Sequence, residues 1–202
     1  MNLPNKLSLG RLISVPIVMI VLGLPDSVVP LRVSGLIGGI LFILAALTDM
    51  LDGKIARSRG LVTDFGKLID PLADKFMVLG ALIMLLYRAE SPFWHVGLTV
   101  TLAVVLFREL AVTSMRLLAA GKSGVVVAAK MVGKVKTVVQ IVFVSAMLLE
   151  PLLYDALAGA DGALAIAEVM PISVAAMVGT VVMTVWSGLD YIISLWKYVE
   201  TK

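Results

Sequence analysis

Six apolar runs, at residues 12–24, 33–46, 76–87, 93–107, 137–149 and 170–186, punctuate this chain. Several are shorter than the roughly 20 residues that a helix needs to cross a bilayer. In each such case the missing length is supplied by a polar stretch at one end of the run. Backbone in hydrocarbon must satisfy its own hydrogen bonds, so the runs are expected to be helices that open inward at their polar ends around a water-accessible cavity. The expected fold is an all-α integral membrane bundle of six transmembrane helices with an amphipathic N-terminal lead-in, forming a single membrane domain over 1–202. An apolar content of 60% and a mean hydropathy of +1.04 do not fit a soluble chain. The absence of cysteine removes both disulfides and a thiolate nucleophile.

The distribution of charge says more than the net value of +3. Apart from Arg32 and Arg88, every Lys and Arg falls at the amino terminus, the second-to-third or fourth-to-fifth connection, the carboxyl terminus, or a helix end beside one of these. The positive-inside rule places those regions, and so both termini, in the cytoplasm. Glu90, Glu150, Asp155, Asp161 and Glu168 fall on the other side, with Trp94 expected in the outer aromatic belt and Trp196 in the inner one. The bilayer is the expected surface partner; no nucleic-acid partner is expected.

Between the second and third runs lies TDMLDGKIARSRGLVTDFGKLIDPLADK, residues 48–75, with four carboxylates at the inner ends of two membrane segments. Ionisable groups there are costly and mark function. On helices turning about 100° per residue, Asp49 and Asp52 lie roughly 60° apart, and Asp70 and Asp74 roughly 40° apart, so each pair shares a face. Residues 58–66, with Gly60, Thr63 and Gly66, are expected to turn the chain and bring the two acidic faces together. Four hard oxygen ligands converging in this way suit Mg²⁺ or Mn²⁺, and two ions would neutralise them. Gly53 and Gly66 leave room for a ligand beside the backbone. Helix-end ion pairs with Lys54, Arg57, Lys67 and Lys75 are the plain alternative.

A second cluster is basic: Arg108, Arg116, Lys122, Lys130, Lys134 and Lys136. Orientation and attraction to anionic lipid account for Lys122. Arg108 and Arg116 both fall inside one predicted helix, about 12 Å apart along its axis; Arg108 at least lies too deep to serve only as a topology signal, and Glu109 is a partner for one of them. Lys130 and Lys134 repel at one-turn spacing unless an anion sits between them. Arg108, Arg116, Lys130, Lys134 and Lys136 are therefore expected to form a phosphate pocket.

The pattern Asp49-x-x-Asp52-Gly53-x-x-Ala56-Arg57, eight further residues, then Gly66-x-x-x-Asp70-x-x-x-Asp74 resembles the complete motif of the CDP-alcohol phosphotransferase family. The resemblance implies that Asp49, Asp52, Asp70 and Asp74 hold two metal ions and that Asp74 also takes the acceptor's hydroxyl proton. It implies CDP contacts from Pro4, Asn5, Asp52, Gly53, Ala56, Arg57 and Thr63, and a homodimer. NLPNKLSLGR, RELAVTSMRLLAA and KMVGKVKT resemble the branch in which sn-glycerol 3-phosphate attacks CDP-diacylglycerol and CMP leaves. The expected setting is the cell (inner) membrane, with the active site facing the cytoplasm. Inositol phosphate or phosphatidylglycerol as acceptor stays open, both being anionic. A divalent-cation carrier is the rival from another class, since intramembrane acids also mark ion paths.

Overall fold

The computed structural model describes residues 3–59, 64–123, 131–157 and 169–199, with side chains from 9–48, 72–119, 121, 131–157 and 169–196. The described residues form six helices: α1 (Leu3–Gly23), α2 (Leu31–Arg59), α3 (Asp64–Tyr87), α4 (Pro92–Ser123), α5 (Met131–Leu157) and α6 (Pro171–Val199). Among the described residues, four segments are long and apolar enough to cross a membrane: Leu31–Thr48, Pro92–Ala119, Met131–Leu157 and Pro171–Trp196. Their outward faces carry Ile40, Leu44, Phe107, Leu110, Val178, Val182 and Ile193 to the surface. An apolar exterior on this scale suits hydrocarbon rather than water.

Helix α1 packs on α2 and α3, α2 on α5, α3 on α4 and α5, and α6 on α4 and α5. Close approach depends on small residues, as is usual where helices meet in lipid. At Gly38 a Cβ would come within 2.5 Å of the Leu22 side chain, so a larger residue there would have to displace the buried Leu22 or move α2 away from α1. The buried positions of α6, Ser173, Met177, Thr180, Thr184, Ser187, Tyr191 and Leu195, recur every three or four residues. That spacing places them on one stripe of the helix. The last helix, apolar in composition, thus turns a hydroxyl-lined face inward.

One end of the bundle is tied by polar groups. Arg88 donates to Leu31 O at 2.6 Å and to Ser34 Oγ at 3.0 Å, and Arg32 pairs with Asp155 at 2.8 Å. The two arginines that depart from the basic-end pattern therefore have local partners. Pro171 opens α6, where a missing N–H costs nothing. The next two N–H groups, of Ile172 and Ser173, donate to the buried Glu150 carboxylate at 3.0 and 2.7 Å, with Ser173 Oγ at 2.6 Å. A carboxylate at a helix N-terminus meets both free donors and the positive end of the helix dipole. Glu150→Gln is expected to cost about 1–2 kcal/mol of stability in thermal unfolding of the detergent-solubilised protein; a loss under about 0.5 kcal/mol would show that the charge does not matter there.

The amino-terminal lead-in is the start of α1, which is continuous from Leu3 to Gly23 through Pro16. Two expectations need correction. The turn between the second and third helices is shorter than 58–66: α2 continues to Arg59 and α3 begins at Asp64, which puts Gly66 inside a helix. Trp94 does not face the aromatic belt. It is 6% exposed, on the same stripe of α4 as the buried Leu98, Thr101 and Val105, while Phe93 takes the outward position.

Candidate active site

Helical phase decides which charges enter the bundle. On α1, Arg11, Val15, Val18 and Leu22 follow the 4-3-4 spacing of one face, and all four are buried. Arg11 is therefore an inward residue rather than a topology signal, and its Nη1 meets Asp74 Oδ1 of α3 at 3.1 Å. On α4 the stripe Leu98, Thr101, Val105, Glu109 and Val112 carries Glu109 inward. Its Oε1 accepts from Arg108 Nη1 at 3.0 Å and from the Lys136 ammonium of α5. A carboxylate between two cations is the arrangement in which buried charge is tolerated.

These groups surround a cavity of about 240 Å³. Helix α3 lines it with Asp74 and Lys75, α4 with Arg108, Glu109 and Arg116, α5 with Lys134, Lys136 and Gln140, and α6 with Tyr191. Five cationic side chains face two carboxylates, and the excess positive charge favours an anion. The cations are held in place: Lys75 Nζ donates to Thr113 Oγ1 at 2.5 Å, Arg108 Nη2 to Ser187 Oγ at 2.5 Å, and Arg116 Nη2 to the Tyr191 hydroxyl at 2.7 Å. Fixed, partly dehydrated guanidinium forks suit a phosphate.

Of the residues singled out in the sequence, Asp74, Arg108, Arg116, Lys134 and Lys136 line this one cavity. Asp49, Asp52, Gly53, Ala56 and Arg57 fall within α2, Asp70 within α3, and Pro4 and Asn5 within α1. The side chains of those residues, together with all of Thr63 and Lys130, lie outside the described residues. Arg11, Lys75, Ser187, Gln140 and Tyr191 were not singled out as site residues. For Arg11 the signal was its phase with Val15, Val18 and Leu22; for Ser187 and Tyr191 it was their place on the stripe of small and hydroxylated residues in α6.

The described residues thus define a helical bundle with membrane-length helices around a hollow that holds two carboxylates and five cations. Residues 1–186 match the CDP-alcohol phosphatidyltransferase family, to which the chain belongs. It is 41% identical to the CDP-diacylglycerol--glycerol-3-phosphate 3-phosphatidyltransferase of Bacillus subtilis (strain 168), covering 99% of this chain and 98% of that protein. It is 32% identical to the protein of the same name from Salmonella choleraesuis (strain SC-B67), over 95% of this chain and 93% of that one. A third relative of that name, from Rickettsia felis (strain ATCC VR-1525 / URRWXCal2), is 35% identical over 73% of this chain and 75% of its own.

Proposed function

We propose that this chain transfers the phosphatidyl group of CDP-diacylglycerol to sn-glycerol 3-phosphate, forming phosphatidylglycerophosphate and CMP. The observation that carries it is the cavity in which Asp74 lies with Arg108, Arg116 and Lys134. The names of the full-length relatives supply the two substrates. An acceptor that carries its own phosphate accounts for a cationic pocket beside a carboxylate, which serine, choline or free inositol would leave unmatched.

In the reaction, the primary hydroxyl of glycerol 3-phosphate attacks the phosphorus bearing the diacylglycerol. A new P–O bond forms, the bridging P–O bond to CMP breaks, and the hydroxyl proton passes to Asp74. Arg11 holds that carboxylate in orientation through its 3.1 Å contact. Arg108, Arg116, Lys130, Lys134 and Lys136 form the acceptor-phosphate pocket, within which Lys136 also neutralises Glu109.

The donor chemistry of Asp74, a carboxylate at the cavity wall, fits a hard divalent cation. Asp49, Asp52 and Asp70 would complete the set for two Mg²⁺ or Mn²⁺ ions, which when bound offset charge on the pyrophosphate. Pro4, Asn5, Asp52, Gly53, Ala56, Arg57 and Thr63 contact the CDP moiety. The protein works as a homodimer with six spans in the cell (inner) membrane, its site and both termini on the cytoplasmic side.

The test is CMP release from CDP-diacylglycerol by purified protein with Mg²⁺ or Mn²⁺. Glycerol 3-phosphate is expected to support turnover, and inositol 1-phosphate and phosphatidylglycerol are not. Activity with inositol 1-phosphate and none with glycerol 3-phosphate would overturn the assignment. Lys134→Ala is expected to raise KM for glycerol 3-phosphate about tenfold while leaving KM for the lipid nearly unchanged, because it removes binding of the acceptor phosphate rather than transfer chemistry. Equal effects on both KM values would place Lys134 elsewhere.

A further inference from the structure

The two arginines of the cavity converge on one aromatic ring. Tyr191, on α6, is 1% exposed. The guanidinium of Arg116 lies 4.6 Å from its ring centroid and that of Arg108 lies 5.5 Å from it. Arg116 also donates to the phenolic oxygen at 2.7 Å, and Arg108 donates to Ser187, one turn earlier on the same helix, at 2.5 Å. The arrangement needs close approach at Gly188, where a Cβ would come within 3.2 Å of Arg108 Cγ.

Two guanidinium groups that both lie within 5.5 Å of one ring centroid repel, and left to themselves would turn apart toward water. An aromatic face attracts both, and a hydroxyl and a serine each fix one of them by a directional bond. The Nε atoms of Arg108 and Arg116 are buried and have no hydrogen-bond partner among the described residues. Each arginine therefore has donor capacity beyond what the described residues use, on forks already held in orientation. Prior ordering of flexible side chains lowers the entropic cost of binding.

We propose that Tyr191 is a positioning residue for the acceptor: its ring and hydroxyl hold Arg108 and Arg116 together as a preformed clamp for the acceptor's phosphate dianion. The inference rests on the transferase reaction proposed above and extends the acceptor site to the last helix, beyond the acidic motif. Tyr191 itself touches no reacting atom. Its effect passes through the arginines, so it acts on acceptor affinity rather than on the chemical step.

The test compares Tyr191→Phe and Tyr191→Leu with the wild-type protein in the CMP-release assay, measuring kcat and both KM values. Tyr191→Leu removes the π-face and is expected to raise KM for glycerol 3-phosphate by about tenfold or more, with kcat and the lipid KM within about twofold of wild type. Tyr191→Phe keeps the ring and is expected to raise the acceptor KM only about two- to fourfold. A fall in kcat with the acceptor KM unchanged, or an equal rise in both KM values, would overturn the proposal. If Tyr191→Leu does not fold, the proposal stands or falls on Tyr191→Phe, whose acceptor KM must rise while the lipid KM does not. Binding is read separately from turnover: glycerol 3-phosphate should raise the Tm of wild-type protein and raise that of the folded Tyr191 variants less. Wild-type protein that is stabilised by glycerol 3-phosphate yet releases no CMP would sink the transferase reaction and leave the clamp standing. Equal stabilisation of wild type and variants would sink the clamp alone.

Discussion

Asp74→Asn is expected to lower kcat for CMP release by about 10² to 10⁴ or more, the range associated with loss of a positioned proton acceptor. The substitution keeps the volume of the side chain and an oxygen able to accept from Arg11 Nη1, now 3.1 Å from the carboxylate. The fold, and with it much of the nucleotide binding, should therefore survive. Turnover at saturating concentrations of both substrates, measured beside the thermal unfolding of the same preparation, separates loss of chemistry from loss of structure. A variant that folds and turns over near the wild-type rate would remove Asp74 from the reaction, and with it the assignment of this cavity as the place of transfer.

The second large effect is expected at Glu109. Its carboxylate lies between Arg108 and Lys136, with side-chain exposures of 11% for Glu109, 10% for Arg108 and 6% for Lys136. Removing one member of such a group leaves buried charge uncompensated, a loss of about 3–5 kcal/mol when desolvation is nearly complete. Glu109→Gln is expected to fall in that range, seen as a marked drop in Tm in detergent. The double variant Glu109→Leu with Lys136→Met deletes the Glu109–Lys136 pair and should regain a large part of the loss, because apolar residues of similar volume often replace a buried ion pair at little cost. Its acceptor KM should nevertheless lie above that of wild type, since Arg108 no longer has the carboxylate that orients it and the pocket has lost Lys136. A loss below about 1 kcal/mol for the single variant would mean that water reaches the group freely.

The basic series was legible as charge before it was legible as a site. Arg108 and Arg116 stood out because an arginine deep in an apolar helix is costly unless something meets it. Which groups meet them depends on partners 79 and 75 residues further along the chain, Ser187 and Tyr191. No local pattern could name them. The buried face of α6 was present as a recurrence of small and hydroxylated residues, but in an apolar helix that recurrence also describes ordinary close packing in lipid. Trp94 shows the same limit from the other side. An aromatic residue near a helix end reads as a membrane anchor until the phase of its neighbours sends it into the core.

By itself the sequence determined that this chain is a helical bundle with an apolar exterior and which family it joins; the apolar runs marked six helices, but the helices extend beyond those runs, α4 to Ser123 and α5 to Leu157. Hydrophobic run length and the spacing of acids are local quantities, and local quantities survive without coordinates. Tertiary structure alone decided that Arg11 faces Asp74, that Glu109 neutralises Lys136 as well as Arg108, and that Tyr191 draws two arginines toward one hollow. Each of these is a contact between helices. The turn angle of a helix fixes the face on which a side chain stands, whereas the residue it meets depends on how far the neighbouring helix has slid and rotated against it.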